Sequence, residues 1–336
     1  MPHPFETYAG VRRLVTAAIA APSVHNTQPW RFRLAGTTEL ELHADLGRAL
    51  PVIDPRGRAL HVSCGAALLN LRLALQTAGH EALVRPFPDA GHDPALLASV
   101  RAVEAPMPPA AVSELYAAIP HRRTNRSPFE KRAVPRAVRD AMVAAARAEG
   151  VALGLPGPQA TSYLLSLVAA ADERLGGDDG YLAELARWTP GDTRGIGIPP
   201  YAFGPRPSGR GLPLRDFGLA GPAAARPVAD FSARPQLAVL LTGGDGPADW
   251  LRAGQGLQRV LLTATRHGVA TSLLCQPLDM LGTERTGANG HIQAIIRFGY
   301  GPPVPGTPRR PFPEVFTRTP DVRGNRAEPS IAGRGK

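Results

Sequence analysis

The feature that most constrains this 336-residue chain is a helix-length segment that occurs twice at one fixed offset. Ser63-Cys64-Gly65-Ala66-Ala67-Leu68-Leu69 runs through Leu73 to Gly79, and Arg252-Ala253-Gly254-Gln255-Gly256-Leu257-Gln258 runs through Leu262 to Gly268. At that offset Gly65 meets Gly254, Leu68 meets Leu257, Leu73 meets Leu262 and Gly79 meets Gly268. Leucine periodicity alone gives some of this by chance. Glycines at both ends make a degenerate internal duplication the better account. The chain is therefore expected to fold as two related halves, 1–110 and 111–316, divided at a proline-rich joint over 106–111 and followed by a flexible basic tail, 317–336.

Within the first half, residues 11–20 read as a helix and 30–34 with 40–43 as a hairpin. A long helix is expected over 59–78, where Leu60, Ala67, Leu68, Leu71 and Leu75 fit a 3.6-residue period. Gly79 ends it in the manner of a helix C-cap. A strand near 81–86 and a short helix near 94–100 follow. The second half reads as helices over 135–149, 161–175 and 250–267, with strands over 236–242, 269–275 and 294–298. Residues 176–227 are rich in Gly, Pro and Arg and show little periodicity, yet hold Trp188, Tyr201 and Phe203. A stretch of that length inside a compact domain is either disordered or functional, most often a lid. Its aromatics argue against plain disorder. Residues 301–313 read as extended, and the chain beyond Phe316 as loose.

The net charge of +10 raises nucleic acid as a partner. Yet all but two of the 38 basic residues are arginine, the lysines being Lys131 and Lys336, and the chain is rich in Ala, Gly and Pro. That bias matches GC-rich coding more than a basic face, so no nucleic-acid partner is expected. No apolar run approaches the length that spans a bilayer, and no membrane association is expected. Arg12-Arg13 ahead of a short apolar run imitates an export signal but reads as the start of the first helix. Cys64 and Cys275 lie far apart in apolar surroundings, without metal or redox-pair spacing, as expected of a cytoplasmic protein with buried thiols.

Two segments carry chemistry. In Ala21-Pro22-Ser23-Val24-His25-Asn26-Thr27-Gln28-Pro29-Trp30, prolines fix both ends of a turn. Ser23, Asn26 and Gln28 place hydroxyl and amide groups suited to the edge of a heterocycle. In His121-Arg122-Arg123-Thr124-Asn125-Arg126, planar cationic forks and a hydroxyl suit a phosphate. Arg309-Arg310 adds a late pair of cations. No Gly-x-Gly-x-x-Gly follows a strand, and no metal-spaced cluster or Gly-x-Ser-x-Gly elbow occurs.

The first of these segments resembles the A-P-S-x-x-N-x-Q-P-W signature of the FMN-dependent nitroreductase superfamily. The second resembles that family's Arg-Arg-Ser-x-Arg element, with Thr124 in place of serine. The division of the two between halves, with a Gly/Pro-rich insertion in the second, resembles the two-repeat Acg-like branch. The resemblance implies an α+β nitroreductase-like fold: a tandem-fused pseudo-dimer of mainly antiparallel sheets flanked by helices, with a lid inserted at about 176–227. It further implies one composite FMN site, the second being degenerate. Pro22, Ser23, His25, Asn26 and Gln28 would lie against the flavin. Arg122, Arg123 and Thr124 would meet the phosphate and ribityl chain, and Arg126 the pyrimidine edge. Arg309 and Arg310 fall where the family places a late cation on the phosphate. Leu274 and Cys275 lie in the segment whose backbone approaches the flavin. The activity implied is hydride transfer from NAD(P)H to FMN and then to a nitro, quinone or other small organic acceptor, with no side chain required as acid or base. A flavin-sequestering protein with a closed lid is the alternative. The assembly is expected to be a monomeric pseudo-dimer or a homodimer.

Overall fold

The chain opens with α1 (Tyr8–Ile19), which buries Val11, Leu14, Val15 and Ala18 along one stripe and is capped by the Thr7 hydroxyl, which accepts from the Gly10 N–H. In this computed structural model, residues 3–191, 196–208, 212–219, 226–280 and 290–318 are described. The hairpin β1 (Trp30–Ala35) and β2 (Glu39–Ala44) leads to α2 (Arg58–Thr77) and then to β3 (His80–Pro86) and β4 (Leu96–Glu104). The Asp54 carboxylate caps α2 by accepting from the N–H groups of Ala59 and Leu60 at 2.9 and 2.8 Å. Gly79, at φ 77°, turns the chain out of α2 in the left-handed region open to glycine.

Then α3 (Ala110–Ala118) crosses to the second half, where α4 (Arg136–Ala148) precedes β5 (Ala152–Gly154). An excursion follows through α5 (Pro158–Gly176), α6 (Asp179–Trp188), β6 (Arg206–Pro207) and β7 (Val228–Ala229). The chain resumes with β8 (Gln236–Thr242), α7 (Pro247–Arg266), β9 (Ala270–Leu273), α8 (Gln276–Met280) and β10 (His291–Gly299). The end of the described chain forms α9 (Phe312–Val315) and β11 (Phe316–Arg318).

The architecture is α+β. One sheet has the order β11-β1-β2-β4-β3 and the other β5-β8-β10-β9. Within these two sheets neighbours are antiparallel, except that β11 lies parallel to β1; β6 and β7 form a separate two-stranded parallel pair. Setting β11, α8 and the excursion aside, each sheet is built by the same succession of helix, two strands, helix and two strands, in the same spatial order. Each also carries a register shift at the same pairing, β2 against β4 and β8 against β10.

Between the sheets α2 lies against α7, and two glycines set how closely. A Cβ on Gly65 would fall 2.1 Å from the Leu251 carbonyl oxygen, and one on Gly254 would fall 2.1 Å from that of Val62. The contact is reciprocal, and it admits no side chain at either position. Each helix also faces its own core: Leu68 and Leu71 sit among Trp30, Phe32 and Leu42, while Leu257 and Leu261 sit among Ala238, Leu240 and Ile296.

Three expectations change. Residues 94–100 are not helical: Leu96–Val100 are buried in β4, paired on both sides by β2 and β3. Their apolar run is one that a short helix and a buried strand share, and pairing decides it. The stretch 176–227 contains a ten-residue helix, α6, whose N-cap Asp178 accepts from the Tyr181 N–H. Thr317 and Arg318, expected to be loose, pair with Arg33 and Leu34 in β11. The remainder of the basic tail, 319–336, lies outside the described residues.

Candidate functional site

The connection from α1 to β1 makes a left-handed knot. His25, Asn26 and Gln28 have φ of 47°, 53° and 52°. Such conformations cost non-glycine residues about 1–2 kcal/mol each, less for asparagine, and persist where surrounding contacts over-determine them. Those contacts are present. The Gln28 N–H donates to Ser23 Oγ at 2.9 Å and the Val24 N–H to Ser63 Oγ at 3.3 Å. Asn26 Nδ2 donates to the carbonyls of Gly197 and Pro308, and its Oδ1 accepts from Arg309. Fully buried Trp30 pins the exit of the loop on the first core.

The loop borders a cleft with two ends, joined through Pro22, Ser23, Thr124 and Arg126. One end is cationic. Arg122, Arg123 and Arg309 line it, and none of them pairs with a carboxylate among the described residues. Arg123 and Arg309 spend their donors on backbone carbonyls: Arg123 on Pro120 and Arg122, Arg309 on Ala20, Ala21, Thr307 and Pro308. Arg122 is different. It is 4% exposed, its guanidinium has no hydrogen-bond acceptor among the described residues, and its Nε is sealed from solvent. Burial, then the neighbouring Arg309 and Arg123, push its pKa down to about 9. Holding a cation in this way is unfavourable unless an anion arrives.

The other end is mostly apolar, with Val62, Leu214, Phe217, Leu257, Leu273 and Cys275 on its walls and Arg58, Gln276 and Gln293 among its polar groups. Arg58, at the start of α2, donates to the carbonyl of Gln293, where the register of β10 shifts. Arg126 stacks on Phe217 at 4.6 Å and donates to the Ala202 carbonyl; its pKa is lowered to about 10 by burial and by Arg215. Arg215 approaches His25 Nε2 at 3.0 Å. A guanidinium only donates, so that nitrogen carries the lone pair and the proton sits on Nδ1. Burial, Arg215 and Arg126 hold the His25 pKa well below its usual value, and the imidazole is neutral at pH 7.

Of the residues expected at the site, the structure brings Pro22, Ser23, His25, Asn26, Arg122, Arg123, Thr124, Arg126, Cys275 and Arg309 to the cleft. Three lie outside it. Gln28 is fully buried and accepts from the Arg310 N–H at 2.7 Å. Arg310 turns away from the cleft to pair with Asp45 at 3.1 Å, because that carboxylate is the buried counter-charge within its reach. Leu274 points into the core, and its N–H is spent on the Ile295 carbonyl. The sequence reading missed Arg58, Arg215 and Phe217. Arg58 had a legible signal, a cation at the first position of a mostly apolar helix. Arg215 and Phe217 lie in a stretch without periodicity or motif.

Among the described residues, no group of three or more His, Cys, Asp or Glu could hold a metal ion, and no helix is long and apolar enough to cross a membrane. Among the described residues, the fold is α+β and the cleft is lined by residues from both the N-terminal and the C-terminal parts of the chain. No family model matches the chain. A Mycobacterium tuberculosis protein provisionally named NAD(P)H nitroreductase Rv3131 is 37% identical over 317 residues, covering 91% of this chain and 90% of the relative. The protein provisionally named NAD(P)H nitroreductase acg, from the same organism, is 32% identical over 94% of this chain and 98% of its own. The crystal structure of a nitroreductase with bound FMN from Bacteroides fragilis aligns with a TM-score of 0.30 and 15% identity, over 56% of this chain and 89% of that one. By its relatives, the chain belongs to the nitroreductase superfamily, alongside the Acg-like proteins.

Proposed function

We propose that the protein is an FMN-dependent oxidoreductase of the nitroreductase type, drawing electrons from NAD(P)H and passing them to a nitro compound, quinone or other organic acceptor. The observation that carries this reading is Arg122, a buried guanidinium bordering the cleft with no acceptor among the described residues. A phosphate monoester would supply the missing charge and oxygens, and the mostly apolar, arginine-flanked end that adjoins it through Thr124 and Arg126 suits a flat ring. Arg122, Arg123, Arg309 and Thr124 would hold the phosphate and ribityl chain, and Pro22, Ser23 and Arg126 the ring. When bound, FMN supplies two-electron redox chemistry, which no side chain of the cleft provides. The residues bind, orient and set the field: Arg126 favours negative charge at its end of the ring, and neutral His25 adds no further cation there.

We read the two sheets of equal order, and the reciprocal glycine contact between α2 and α7, as a tandem-fused pseudo-dimer, since an isologous interface repeats every contact. The position equivalent to the loop, between α4 and β5, is filled by Glu149, Gly150 and Val151. This supports a single cofactor site per chain. The excursion after β5 acts as a lid, because Leu214, Arg215 and Phe217 wall the ring end, and α6 rests on Leu50 and Ile53 of the first half.

That wall also favours a second reading, in which the protein holds FMN with little turnover. The purified protein is expected to be yellow, with one FMN per chain identified by mass. Steady-state oxidation of NADH or NADPH with nitroarenes and quinones then separates the readings. A protein that is colourless and takes up no added FMN overturns both.

A further inference from the structure

Asn26 occupies the position at which the sequence suggests a contact to the flavin ring, yet its amide is committed elsewhere. Nδ2 donates to the Gly197 carbonyl at 2.8 Å and to the Pro308 carbonyl at 3.1 Å, and Oδ1 accepts from Arg309 Nη1 at 3.1 Å. Two carbonyls demand the NH2 side and a guanidinium demands the oxygen, so the partners leave the amide one orientation. The residue is 6% exposed. It thus ties together the α1–β1 loop, the lid and the C-terminal arm that carries Arg309 into the cationic end.

The partners are themselves fixed. Gly197 has φ 70°, and a Cβ there would fall 2.5 Å from the Trp188 carbonyl oxygen, so its backbone is seated on the end of α6. The Ile198 N–H donates to the same Trp188 carbonyl at 2.8 Å. Arg309 is held by its bonds to Ala20 and Ala21 and to the Thr307 hydroxyl, and Tyr201 of the lid donates to the Gly306 carbonyl at 3.0 Å beside it. Ile198, Tyr201, Asn26 and Arg309 line the cationic end together.

We infer that Asn26 is a positioning residue that couples closure of the lid to capture of the ligand's phosphate: the amide that aims Arg309 is the amide that holds Gly197. Coupling of this kind is reciprocal. A phosphate that fixes Arg309 must slow opening of the lid, and a loosened lid must weaken the hold on the phosphate. The inference rests on the lid reading, and on the flavin reading for the choice of ligand alone, since any anion seated at Arg309 engages the same linkage.

Hydrogen–deuterium exchange of peptides spanning 196–208 tests it, with the full-length protein free, loaded with FMN, or loaded with riboflavin, which lacks the phosphate. Asn26→Gly keeps the left-handed backbone and removes the amide. Asn26→Asp keeps the acceptor for Arg309, removes both donors, and also tolerates the left-handed region, which guards against a variant that fails to fold. In the wild type, FMN is expected to slow exchange of this segment about tenfold more than riboflavin does, within the usual range of coupling between sites. In either variant, at flavin saturation checked by bound-chromophore absorbance, the difference between FMN and riboflavin should vanish. A merely structural asparagine would raise exchange in every state and leave that difference intact, which overturns the proposal. If the wild type takes up no flavin, the flavin reading fails by itself. Inorganic phosphate then replaces FMN in the same comparison, and protection that is absent, or present equally in Asn26→Gly, overturns the coupling.

Discussion

Two connections sit at the same place in the two halves and do opposite things. The one from α1 to β1 uses ten residues, 20–29, and spends backbone strain to build one wall of a cleft. Its counterpart from α4 to β5 uses three, 149–151, and closes the space. There Glu149 takes Arg72 from α2 and Arg259 from α7, while Val151 packs where a Cβ on Gly256 would stand, 2.3 Å from Cγ2. On the proposed reading, one half leaves buried cations for an anion from outside, while the other supplies the anion, Glu149, from its own chain. Similar architecture would then serve a binding site or a structural clamp according to where the anion comes from.

The sharpest way to break the clamp is Glu149→Ala, which strands Arg72 and Arg259 in a largely buried setting. Stability is expected to fall by about 3–5 kcal/mol, seen as a lower denaturant midpoint, with FMN stoichiometry unchanged in whatever remains folded. At the open site, Arg122→Met should act with opposite signs on two quantities. It removes charge-assisted bonds to the phosphate, weakening FMN by about a hundredfold (about 3 kcal/mol) in a fluorescence titration. It also removes an uncompensated buried cation, so the flavin-free protein should melt higher than the wild type by about 1 kcal/mol or more in stability. A flavin-free Arg122→Met that melts lower would mean the cation is not costly and the comparison fails. Gly65→Ala probes the interface both halves share. Its Cβ must displace the Leu251 backbone, at a cost of about 1–3 kcal/mol in chemical unfolding.

The smallest effect is that of pH on His25. Its folded pKa lies below the ordinary value near 6.5, so below about pH 6.5 the unfolded chain binds more protons at this group than the folded one. Stability therefore rises with pH across the window between the two pKa values and is lost as pH falls through it, by at most about 1.4 kcal/mol per unit. The drop in melting temperature between about pH 7 and about pH 5.5 should be smaller in His25→Gln than in the wild type.

What could be read in the sequence followed from local signals. The helices with a clear period were legible, as were the glycines at the α2–α7 contact, the hairpin and the cationic segment at Arg122–Arg126. What escaped depended on partners distant in the chain. Leu96–Val100 is a strand because β2 and β3 flank it. Gln28 and Arg310 looked like ligand contacts by type, but they found each other and Asp45 instead. Arg215 reaches His25 from 190 residues away, and no periodicity announces it. Asn26 was placed at the site by its motif, but its three bonding partners, Gly197, Pro308 and Arg309, lie at least 171 residues away and no local signal announces them.

The strand β11 has a consequence for how this chain can be divided. It pairs Phe316, Thr317 and Arg318 with Phe32, Arg33 and Leu34, so the last described strand of the molecule completes the first sheet. A fragment ending at the proline-rich joint would leave β1 as a bare edge, with the backbone of Trp30–Ala35 open to pairing with another copy. Expressed alone, such a fragment would tend to self-associate through that edge. Expressed together with the remainder of the chain, it would have its native neighbour available, and the two pieces would assemble as a split protein whose recovery reports on the strand that joins them.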